Sequence, residues 1–275
     1  MSNDLLNFTT ERHKDLSLRL QDVRASIAEA AQDFSGAREK NSPLPELTVV
    51  TKFFPASDVA ALYDLGVRRV GENRDQEAAA KAELLTRLPG ESQDPLRWAF
   101  IGQLQSNKAK SVVKYAAEVQ SVDRLSLVKA LSKAYSSQLA RAENDESPFP
   151  WTYSQGGLSC LIQVNLQEGG ESTAGHAAQG LRGGVLPSEI EKIAEAIENS
   201  EGLRCAGLMA VAPLGAEPER AFERLWGIAQ KFRENYPQAT RLSAGMSGDL
   251  KTAIRWGSTE VRVGSQIMGP RPAIR

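Results

Sequence analysis

The stretch Glu46-Leu-Thr-Val-Val-Thr-Lys52, followed by Phe53-Phe54-Pro55 and ASDVAALYDLG (56–66), decides how the chain is read. ELTVVTK is short and rich in β-branched residues, which suits a buried strand. Pro55 then opens a helix over 55–66, because proline fits the first helical turn. The same alternation recurs down the chain. Further strands are expected at 68–71, 97–102, 118–122, 158–165, 204–210, 240–245 and 261–265. Helices are expected near 73–88, 105–115, 124–142, 188–200, 218–235 and 248–256. Alternating short apolar strands and helices predict a parallel sheet covered by helices. Eight repeats in one chain favour closure into a single (β/α)8 TIM barrel over an open doubly wound sheet.

Working outward, the barrel occupies about 46–270, so the whole chain, 1–275, reads as one domain. The preceding stretch carries Leu5, Leu16, Leu20, Val23, Ile27 and Ala31, mostly at helical spacing, and predicts an amphipathic helix over about 4–35. About ten residues follow the eighth strand, too few for a final covering helix, so the N-terminal helix is expected to complete the outer ring. Two stretches break the rhythm. Residues 143–157 join a helix to the fifth strand and belong to the N-terminal face. Residues 167–185 follow that strand, belong to the opposite face, and read as a candidate lid or a surface insertion.

The chain has 33 basic and 34 acidic side chains, a net charge of −1, and these charges are interspersed. Neither nucleic acid nor a membrane surface is therefore expected as a partner. No apolar run reaches a membrane span, and MSNDLLNFTTERHKD has no apolar core of a secretory signal, so a cytoplasmic, monomeric protein is expected. Cys160 and Cys205 sit in apolar runs and read as reduced core thiols. With only His13 and His176 besides, no zinc ligand set can be written.

Alternation places Lys52 on the face of Val50 and Thr48, at the barrel mouth. Desolvation there would lower its pKa and make the amine a nucleophile, as Schiff-base chemistry requires. Taken alone, a lysine closing a strand is commonly solvated. Two loops strengthen the case. Ser243-Ala-Gly-Met246-Ser247-Gly248 follows the seventh strand, with Ser247 expected as a helix N-cap. Val263-Gly264-Ser265-Gln266 follows the eighth. Loops after strands seven and eight characteristically form phosphate sites in such barrels. Gly175 and Gly180 have P-loop spacing, but Leu181-Arg182 follows where Lys-Ser/Thr is required.

VVTKFFPASDV (49–59), VGENRDQEAAAK (70–81), FIGQLQSNKAK (100–110), CAGLMA (205–210), SAGMSGDLKTAI (243–254) and GSTEVRVGSQIMG (257–269) together resemble the successive motifs of the YggS/PROSC family. These are the pyridoxal phosphate homeostasis proteins, relatives of the alanine racemase barrel domain. The resemblance implies a fold-type III barrel binding pyridoxal 5′-phosphate, with Lys52 as the Schiff-base lysine. It places Ser247 with the neighbouring Met246, Gly264 and Ser265 at the phosphate end, Arg262 at the pyridine nitrogen, and Asn73 beside the ring. The two insertions, and Met268 where the family usually has Phe, depart from its pattern.

A cofactor carrier, passing pyridoxal phosphate to apo-enzymes that depend on it, is the function this implies. A racemase-like enzyme acting on amino acids is the alternative, and an aldolase-like barrel using Lys52 on a sugar phosphate is a third reading. Racemisation needs acid/base groups on both faces of the intermediate. In alanine racemases the opposing tyrosine comes from a further C-terminal domain. Here Tyr63, Tyr115, Tyr135, Tyr153 and Tyr236 are expected on outer helices or in the 143–157 stretch, leaving His176 as the one candidate in the lid-like segment.

Overall fold

The structure, a computed structural model, describes residues 3–88, 90–167 and 183–271. Eight strands form a closed, all-parallel barrel in chain order. They are β1 Glu46–Val50, β2 Arg69–Glu72, β3 Arg97–Phe100, β4 Ala116–Val122, β5 Leu158–Val164, β6 Leu203–Ala210, β7 Arg241–Ser243 and β8 Glu260–Val263. The helices are α1 Thr10–Ala30, α2 Ala56–Asp64, α3 Asp75–Leu85, α4 Ala109–Tyr115, α5 Leu125–Glu143, α6 Ile190–Glu198, α7 Pro218–Asn235, α8 Leu250–Arg255 and α9 Ser265–Met268.

Strand alternation explains the layering. In β1, Val49 is fully buried among the side chains of the helical layer, whereas Thr48 turns inward and donates to Glu260 Oε1 at 2.6 Å. Several expected boundaries move for local reasons. β1 stops at Val50, because the chain turns at Thr51–Phe54, where Phe53 has φ +73°. β7 ends at Ser243 and not at 245. Gly245 takes φ +93° there, and a Cβ would lie 2.7 Å from Ala253 Cβ. The expected helix over 4–35 is a 3-10 turn, Asn3–Leu6, and then α1, whose start is fixed by Thr9 Oγ1 accepting from Arg12 N at 3.1 Å.

α1 fills the ring between α8 and α2. Leu16, Leu20, Val23 and Ile27 are buried, and Arg12 ties α1 to α2 and α9, bonding Asp58 of α2 through two nitrogens and the Met268 carbonyl of α9 at 2.9 Å. Met268 itself is buried beneath α1. Among the described residues, no helix is long and apolar enough to cross a membrane.

The barrel floor is polar and linked by ion pairs. Glu118 of β4 and Glu260 of β8 face Arg69 of β2 and Arg241 of β7, and each arginine pairs with both carboxylates. Gln120 Nε2 donates to Glu118 Oε1 (2.8 Å) and Glu260 Oε1 (2.6 Å), and its own carbonyl accepts from Ser243 Oγ at 2.8 Å. Burial opposes ionisation of Glu260, but Arg241 and Arg69, helped by Thr48 and Gln120, hold its carboxyl below its ordinary range.

Candidate functional site

At the opposite, C-terminal end of the strands lies a cavity of about 360 Å³. Lys52, Met246, Ser247, Arg262, Gly264 and Ser265, singled out from sequence, all line it, with Val50, Phe53, Ile101 and Arg271 among the remaining walls. Residues at the ends of β1, β7 and β8 thus meet in one place, as parallel closure requires. Lys108 and Lys110, the nearest competing lysines after β3, do not line it.

Lys52 is half-buried in the turn after β1. Burial lowers the pKa of its amine and Arg271 adds to this, while Glu72 opposes it. The nucleophilic, unprotonated amine is therefore more accessible than in an exposed lysine. The turn is strained, since Phe53 adopts a left-handed conformation, which costs a residue with a Cβ about 1–2 kcal/mol. Cations gather at its ring: Arg271 lies 4.8 Å, Arg74 5.1 Å and Lys52 5.9 Å from the centroid.

Beneath Lys52 sits a buried ion pair. Glu72, at the end of β2, is 1% exposed, and its Oε1 accepts from Lys81 Nζ and from Thr51 Oγ1, each at 2.7 Å. Lys81 Nζ also donates to the Thr51 carbonyl at 3.0 Å. Glu72 Oε2 is buried without a hydrogen-bond partner. Burial raises the carboxyl pKa of Glu72, and Lys81 and Thr51 counter that rise.

Arg262, 4% exposed, is held by Ser243 Oγ (2.6 Å) and the Ala210 carbonyl (2.9 Å). Through Ser243 and Gln120 it is linked to the carboxylates of the floor. Ser247 is not the N-cap of α8. Asp249 takes that position and accepts from Met246 N at 2.6 Å, because its carboxylate reaches back across the tight turn. Ser247 instead stands in the loop, its carbonyl accepting from Gln266 Nε2 at 3.0 Å, which ties the loops after β7 and β8 together. The expected anion cup therefore consists of loop hydroxyls and amides, since α8 has only six residues.

Asn73 is not among the cavity-lining residues. Its backbone packs against Gly102, where a Cβ would come within 2.5 Å of the Asn73 carbonyl oxygen, and its buried Oδ1 has no partner. Cys160 and Cys205 are buried, and burial pushes both thiols up, Cys205 to about 12, which removes them as nucleophiles. Of the 167–185 stretch, 168–182, including His176 and the Gly175–Gly180 spacing, lie outside the described residues. The chain re-enters with Val185 paired to β5, donating to the Gln163 carbonyl at 2.9 Å. Among the described residues no cluster of His, Cys, Asp and Glu could hold a metal ion.

Sequence reasoning missed Glu72, Lys81, Phe53 and Arg271. A carboxylate closing the apolar strand RVGE was the available signal for Glu72. Arg271 lies in the Gly/Pro-rich tail and gave none.

Comparison with known proteins supplies a second line. The N-terminal domain family of alanine racemase matches residues 32–272. A pyridoxal phosphate homeostasis protein of Mycobacterium bovis is 38% identical over 268 residues, covering 95% of each chain. Two solved structures align over nearly the full length. A protein of unknown function from Bifidobacterium adolescentis is 28% identical with a TM-score of 0.74, covering 96% of this chain and 99% of its own. PipY of Synechococcus elongatus, solved with pyridoxal phosphate bound, is 27% identical with a TM-score of 0.68, covering 92% of this chain and 100% of its own.

Proposed function

The chain belongs to the family of pyridoxal phosphate homeostasis proteins, and from that premise we propose that it holds pyridoxal 5′-phosphate at Lys52 and acts as a carrier of that cofactor. The observation that carries this reading is the convergence, on one cavity, of a desolvated lysine, a hydroxyl-rich double loop and a buried arginine. When bound, the cofactor supplies an aldehyde for the lysine amine and an electron-withdrawing ring. Ser247, Gly264 and Ser265 would receive its phosphate through hydroxyl and backbone donors. Val50, Ile101 and Met246 give the apolar walls that a flat ring needs.

Arg262 would meet the ring nitrogen. A guanidinium keeps its proton, so it leaves that nitrogen unprotonated and weakens the electron sink that amino-acid chemistry demands. Racemisation further requires acid/base groups on two faces. Among the described cavity-lining residues, Lys52 is the one acid/base group besides Arg262 and Arg271, which are permanently charged. Both features favour holding and release over turnover, with pyridoxal phosphate-dependent apo-enzymes as recipients.

The test pairs two assays on the loaded protein. We expect transfer of cofactor to a pyridoxal phosphate-dependent apo-enzyme and negligible solvent-deuterium exchange at the α-carbon of free amino acids. Rapid exchange that is lost in Lys52→Ala would establish the racemase-like alternative.

A further inference from the structure

We propose that Glu72, held in place by Lys81, is a positioning residue for Lys52, setting the pH at which its amine is free to attack an aldehyde. This inference rests on the reading of Lys52 given above. The geometry supports it from three directions. First, the pair grips the residue next to the nucleophile: Glu72 accepts from the Thr51 hydroxyl, and Lys81 donates to the Thr51 carbonyl, whose peptide bond leads into Lys52. That grip fixes a turn which Phe53 alone would not favour.

Second, Glu72 is placed where a carboxylate is costly. It is almost wholly buried, Lys81 and Thr51 occupy Oε1, and Oε2 has no donor. An unsatisfied buried acceptor is costly, and the ammonium at Oε1 leaves Oε2 without a donor. A second cation within range of its field offsets that deficit. Third, Glu72 bonds the residue next to Lys52, and a negative charge placed there favours the protonated amine against burial and Arg271.

The other charged and titratable groups around the two residues are few. Arg262 and Arg271 line the same cavity as Lys52, and Arg74 shares the Phe53 ring with it. Glu77 of α3 acts on Glu72, as Glu72 acts on Tyr115, which in turn bonds Asp75. Of these, Glu72 is the acid whose charge favours the protonated form of Lys52. Its carboxylate therefore holds Lys52 partly protonated against the cationic mouth, restraining attack at low pH and allowing it as pH rises.

The step it governs is a condensation without redox change. Lys52 Nζ adds to the aldehyde carbon, a C=N bond replaces C=O, and the oxygen leaves as water with both amine protons. The neutral amine is the reactive form, so the rate of linkage rises with pH through the Lys52 pKa. Glu72→Gln removes the restraining charge while keeping shape and hydrogen-bonding capacity. We expect the midpoint of the rate-against-pH curve, followed by the absorbance of the lysine linkage after adding pyridoxal phosphate, to fall, so that linkage is faster at a fixed pH on the acid limb.

Glu72→Gln leaves Lys81 buried without its partner and can unfold the protein, so the double variant Glu72→Gln with Lys81→Met, which removes both charges, is measured beside it. The same downward direction is expected there. An unmoved midpoint in both variants, with linkage intact in the wild type, would overturn the inference. So would a midpoint lowered in the single variant but unmoved in the double, which would assign the effect to the stranded Lys81. Absence of linkage in the wild type would instead break the underlying reading of Lys52.

Discussion

The two ends of the barrel handle charge in opposite ways. At the floor, Arg69 and Arg241 meet the buried carboxylates Glu118 and Glu260, and the more exposed Glu46 lies 3.4 Å from Arg69. At the mouth, Lys52, Arg262 and Arg271 line a cavity to which no acidic side chain contributes among the described residues. The floor is electrostatically closed and therefore stabilises the fold, whereas the mouth carries an excess of positive charge that an anionic ligand completes. Arg262 and the Ser243–Gln120 hydrogen bonds join the two, so the buried arginine of the cavity is held by the structural end.

The largest effect that this contrast predicts is on the floor. Glu260→Gln leaves the two guanidiniums with Glu118 as their one buried carboxylate, and breaking a buried pair costs about 3–5 kcal/mol. Urea unfolding should show a loss of that size, while the folded fraction still links cofactor at Lys52. A loss below about 1 kcal/mol would remove the distinction between the ends. Acid sharpens the same comparison. A carboxyl whose folded pKa is depressed contributes its stability in full above its unfolded value, 4.5 for Glu260, and loses it as pH falls through the folded value. The wild type should therefore lose stability below about pH 4.5, and Glu260→Gln should lose less over that range. Glu72 works with the opposite sign, since its raised pKa makes protonation favour the fold.

A smaller effect, confined to binding, is expected at the mouth. Ser247→Ala removes one hydroxyl donor to an anion, worth about 1.5–3 kcal/mol, or at least about tenfold in Kd. Stability should change by less than about 0.5 kcal/mol. Titration of pyridoxal phosphate against unphosphorylated pyridoxal separates the contribution further. Equal affinities would mean that the double loop is not an anion cup.

What could be read from sequence follows the same division. The barrel was legible because each strand–helix unit carries its own local periodicity, and parallel closure then brings the ends of β1, β7 and β8 together whatever the details. Lys52, Ser247 and Arg262 were accordingly placed by strand position and family motif. The floor network was not legible: Glu118 and Arg241 lie 123 residues apart, and only the barrel register makes them neighbours. The helix start was misplaced by two residues because Asp249 closes the turn before it, accepting from Met246 N, so that Ser247 stays in the loop. Asn73 belongs to a motif, but the packing of its backbone on Gly102 is set by β3, far from it in sequence.

The central claim, that Lys52 is the group that holds the cofactor, is tested most directly by reducing the loaded protein with borohydride and mapping the modified peptide by mass spectrometry. Pyridoxyl phosphate is expected on the peptide containing Lys52, with Lys52→Ala giving none. Recovery of the adduct on Lys108, Lys110 or Lys81 in the folded wild-type protein would contradict it.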